Sequence, residues 1–103
     1  MAAYINTGAY ENNINNIIRT IMNTIMDINH FRNTLDIADP NRRLIKAQLK
    51  NYCNIGQDLE EHYTFLKDMD KFGELTLDEM DQLVTWFNWL LQRVQALKDD
   101  VVI

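Results

Sequence analysis

Cysteine, proline and glycine are scarce in this chain, and each shortage removes a class of explanation. A single cysteine, Cys53, cannot close an intramolecular disulfide, so no covalent staple is expected and a reducing, cytoplasmic setting is the natural one. One proline and three glycines leave few places where the backbone must turn sharply. No apolar run approaches the roughly 18 to 20 residues that span a bilayer. The opening MAAYINTGAYENN has neither the basic nor the apolar segment of a secretion signal, so no membrane role is expected. Cations are also short, with 10 Lys and Arg against 15 Asp and Glu. The net charge of -5 lacks the basic footprint that direct binding to nucleic acid or anionic lipid requires.

What the chain does have is heptad order. Ile14, Ile21, Ile28 and Leu35 stand seven apart, as do Ile45, Tyr52, Leu59 and Leu66, and then Met80, Phe87, Val94 and Val101. A seven-residue apolar repeat keeps one seam of a helix turned toward its neighbours. Three such seams in 103 residues predict one all-α domain, an up-down-up bundle of three long helices, open to completion by dimerisation. The expected helices cover about residues 11–36, 40–72 and 77–98.

Local signals support those limits. Asp39 followed by Pro40 suits the start of a helix, because Asp caps orphan amides and proline at the first position gives up no needed N–H. Gly73 suits the end of the second helix, and Thr76-x-x-Glu79 forms a capping box at the start of the third. Residues 51–56 combine poor helix formers and favour a kink. The final residues are expected to fray unless Val101 extends the third seam.

Residues 68–79 carry a second pattern. Carboxylates stand at positions one, three and twelve (Asp68, Asp70, Glu79), Gly73 at six, an aliphatic residue at eight and Thr76 at nine. The stretch resembles the calcium loop of the EF-hand family, although Phe72 holds the fifth position, where that family presents an oxygen ligand. The resemblance implies Asp68, Asp70, Thr76 and Glu79 as side-chain calcium contacts, with the Glu74 carbonyl as the backbone ligand. A plain helical hairpin accounts for Gly73, Thr76 and Glu79 equally well, and is the leading reading. No other constellation carries chemistry. Asp27 with His30, and Asp58 with His62, lack the Glu-x-x-His form of bundle metal sites, and Cys53 has no histidine base in view. Catalysis is not expected, and neither is a resident cofactor.

Charge and aromatics point to recognition instead. Residues 58–81 hold nine acids against Lys67 and Lys71, while Arg42, Arg43, Lys46 and Lys50 gather at the start of the second helix. Helical geometry places Trp86 near the core boundary, Trp89 on the outer side of the third helix, and Phe65, Met69 and Phe72 on the outer side of the second. Tryptophan and phenylalanine are common interface anchors. The sequence therefore predicts a small acidic regulator, inhibitor or assembly adaptor that binds another protein or itself. The expected contacts are these aromatics and the acidic side chains of Asp68, Glu74, Asp78 and Asp81. A calcium-binding module is the alternative.

Overall fold

The computed structural model describes residues 7–71 and 76–102. They form three helices, α1 (Thr7–Asn33), α2 (Pro40–Lys71) and α3 (Leu77–Val101), each packed against the other two, and no strand occurs among the described residues. This is the all-α bundle that the heptads predict. Two cross-links between α1 and α3 set their direction. The Tyr10 hydroxyl donates to Asp81 Oδ1 at 2.7 Å, and Lys98 Nζ lies 3.0 Å from Asp27 Oδ2. Both pairs are 71 residues apart in sequence, so α1 and α3 run parallel and in register, with α2 returning between them.

Eight of the twelve heptad positions become the core, and Leu35, Tyr52, Leu59 and Val101 pack half-buried against it. Ile14, Ile21 and Ile28 of α1, Ile45 and Leu66 of α2, and Met80, Phe87, Leu90 and Val94 of α3 are buried. Removing one such side chain costs about 2 to 5 kcal/mol, whereas an exposed pair such as Asp27–Lys98 contributes at most about 1 kcal/mol. Packing therefore dominates, and the polar links select register. The core is thin, since the molecule measures 61 × 19 × 15 Å with a radius of gyration of 16.7 Å. A compact domain of this length would have about 13 Å. Each helix consequently keeps a broad face in solvent.

Helix ends differ from expectation in instructive ways. Helix α1 begins at Thr7 instead of about residue 11, and stops at Asn33 short of residue 36. Its end tightens through i→i−3 bonds, Thr34 N to Phe31 O and Leu35 N to Arg32 O, and the Thr34 hydroxyl also donates to Phe31 O. The Arg42 guanidinium then donates to Leu35 O at 2.9 Å, satisfying a carbonyl that continued helix would have used. At the start of α2, Asp39 Oδ1 accepts from Asn41 N at 2.9 Å, the capping role its position suggests. Helix α2 continues as α-helix through residues 51–56. Thr76 caps α3, accepting from Glu79 N at 3.3 Å, and α3 continues to Val101, which packs against the core with Val102. Phe72, Gly73, Glu74 and Leu75 lie outside the described residues, and with them the expected glycine cap.

Candidate functional site

The antiparallel course of α2 and α3 brings His62 and Trp86 to the same level on one flank. There the His62 ring stacks on Phe65 with centroids 6.4 Å apart and meets Trp86 at 5.6 Å. Trp89, one turn further along α3, has the Arg93 guanidinium 5.4 Å from its ring. Phe65 is 58% exposed, Trp86 39% and Trp89 44%, so these rings are held in order while remaining open to solvent. His62 is the bridge between the two helices. Its position four residues after Asp58 gave no sign of that, because the bridge depends on which α3 side chain stands opposite.

The other residues expected to bind a partner are dispersed. Met69 is half-buried and packs against the core, so it belongs to the bundle interior more than to an outer stripe. Asp78 is exposed in the first turn of α3. Asp81 is turned toward α1, where it accepts the Tyr10 hydroxyl; that bond, followed by burial and the nearby carboxylate charge, holds the phenol above its usual range. Asp68 is exposed near the end of α2. Phe72 and Glu74 lie outside the described residues.

The calcium reading meets a geometric obstacle. Helix α2 stays helical to Lys71, so the first four positions of the supposed loop are helix, and positions 68 and 70 stand about 200° apart around it. A twelve-residue calcium loop would require this last turn to unwind. The Thr76 oxygen is engaged as a helix cap, and Glu79 Oε2 is buried with no hydrogen-bond partner among the described residues. No group of three potential metal ligands occurs among the described residues. The Asp70 side chain and the Glu74 carbonyl fall outside the description.

A second surface was not legible in sequence. Between α1 and α2 runs a groove of about 410 Å³, walled by Ile18, Met22 and Ile25 on one side and by Cys53, Gln57 and Glu60 on the other. Phe87 and Leu90 of α3 form its floor. Met22 is exposed on the α1 rim of the groove, and Met26, also exposed, follows one turn further along α1. Cys53 is exposed on the opposite wall. At the far end, Ile37 and Leu44 are exposed around the α1–α2 turn.

No protein-family model, curated protein or solved structure matches this chain. Its functional reading rests on the chemistry of these surfaces. Among the described residues, no helix is long and apolar enough to cross a membrane.

Proposed function

We propose that this chain is a non-enzymatic interaction module, a small acidic helical regulator, inhibitor or adaptor that docks on another protein through the α2–α3 aromatic face. The observation that supports it most is the His62 bridge, which joins Phe65 to Trp86 across two helices and leaves all three rings outside the core. Pre-ordered aromatic area binds with little loss of side-chain freedom, and tryptophan is the residue most often found at the energetic centre of interfaces. Residues 58–81, the stretch of sequence that holds Phe65, carry nine acids against two lysines, which favours a basic partner with an apolar cleft. On this reading calcium leaves the chain unchanged.

The test compares the parent chain with Trp86→Ala/Trp89→Ala as bait in extract of the source cells, followed by calorimetry on the purified partner. The expected result is a stoichiometric partner whose affinity falls at least about tenfold in the variant, with circular dichroism and thermal midpoint preserved. Equal affinity in the variant would remove the aromatic face from function. Collapse of helicity would place the tryptophans in the core.

A further inference from the structure

Helix α2 is charge-polarised about its middle. Residues 40–57 carry Arg42, Arg43, Lys46 and Lys50 and no acid, whereas residues 58–71 carry five acids and two lysines. This order opposes the helix macrodipole, which favours acids at the N-terminus and cations at the C-terminus. Lys46 and Lys50 also stand four residues apart, where like charges repel. The arrangement therefore weakens the isolated helix. Lys46, Lys50 and Glu60 make no ion pair within the chain among the described residues.

Glu60 lies on the wall of the α1–α2 groove with Cys53 and Gln57, and Lys46 and Lys50 continue the same line along α2 beyond it. Lys46, Lys50, Cys53, Gln57, Glu60 and Thr64 are all exposed and follow each other at spacings of four and three, a single stripe along α2. The stripe is symmetric about its centre at position 55. Turned end for end beside a second copy, it sets Lys50 opposite Glu60, Cys53 opposite Gln57 and Lys46 opposite Thr64. That centre coincides with the charge boundary of α2 and with the groove, where Met22 faces Cys53 and Gln57. A twofold axis there places the cationic half of each α2 against the acidic half of the other, and gives each Met22 an apolar cleft to enter. Methionine suits such a role because its unbranched chain adapts to irregular gaps.

We infer that the α1–α2 face is a self-association surface, on which two copies of this chain pair antiparallel across a twofold axis at the level of Cys53 and Gln57. A closed, isologous contact of this kind repeats every ion pair twice and leaves the α2–α3 aromatic face free. It does not depend on the proposed partner binding, and Lys46→Glu/Lys50→Glu breaks it without altering the aromatic face or the acids of residues 58–81.

The experiment is sedimentation equilibrium of the full chain and two charge variants, Lys46→Glu/Lys50→Glu and Glu60→Lys/Glu61→Lys, with folding checked by circular dichroism. The parent is expected to dimerise, more weakly at high salt, and each variant alone to lose at least about tenfold in affinity. An equimolar mixture of the two variants should associate again, because only the mixed pair juxtaposes opposite charges at both ends. Gln57→Cys should form a covalent dimer with Cys53 of the other copy on mild oxidation. A parent that stays monomeric to several hundred micromolar would overturn the inference, as would charge variants that dimerise like the parent. A dimer lost in Trp86→Ala/Trp89→Ala but indifferent to charge reversal would also overturn it, assigning association to the aromatic face.

Discussion

Two tyrosines show how single hydroxyls report on this bundle. Tyr63 is buried, its hydroxyl has no hydrogen-bond partner among the described residues, and the Lys67 ammonium sits 4.3 Å from the ring centroid. Burial pushes its phenol up, and Lys67 opposes the shift. A buried hydroxyl without a partner carries a desolvation cost, so Tyr63→Phe should leave stability unchanged or raise it by up to about 1 kcal/mol. Urea denaturation at neutral pH measures this; a loss above about 1 kcal/mol would mean that the hydroxyl has a partner. Tyr10 behaves differently, because its hydroxyl donates to Asp81 and its folded pKa is raised above 10.0. The neutral phenol is the form the fold favours. Its contribution is thus present below about pH 10 and is lost as pH rises through the raised value. Tyr10→Phe should be less stable than the parent at pH 8, and the difference should shrink toward pH 11.

At the scale of elements, α2 carries a glycine in its interior. Gly56 lies in the middle of an unbroken helix, and a Cβ there would meet Leu90 Cδ2 at 3.5 Å, an ordinary contact. Gly56→Ala should therefore stabilise the chain by about 0.5 to 1 kcal/mol through reduced freedom of the unfolded state. A destabilised variant would show that the α2–α3 contact cannot yield at that point. The start of α3 depends on Thr76, whose oxygen accepts from Glu79 N. Thr76→Ala should cost about 1 kcal/mol, read from the thermal midpoint, and an unchanged midpoint would mean that the cap is replaced by water.

The whole molecule is a rod, and its shape makes the two surfaces distinguishable. Side-by-side antiparallel pairing leaves the long dimension near 61 Å while broadening the cross-section; end-to-end association through the acidic hairpin would come close to doubling it. Small-angle scattering across a concentration series is expected to show a nearly constant maximum dimension with rising mass. Growth in length would instead indicate head-to-tail contact between the acidic and basic ends. The elongated shape also explains why so much apolar area is exposed. Three helices around one layer of side chains cannot cover every outward residue, and Phe65, Trp86, Trp89 and Met22 stand where no fourth helix is present among the described residues.

The sequence by itself determined the helices and their inward faces. Ile14, Ile28, Phe87 and Val94 could be assigned to the core in advance because a seven-residue repeat and a helical pitch leave little choice of side. The caps at Asp39 and Thr76 were equally legible, since they depend on bonds to neighbours two or three residues away. Tertiary structure alone decided what shares a surface. The His62 bridge, the Tyr10–Asp81 bond and the groove between Met22 and Cys53 join residues far apart in the chain. Their formation depends on the direction and stagger of whole helices. Heptads specify that seams meet, but the packing of the three helices along their length sets which residues stand opposite.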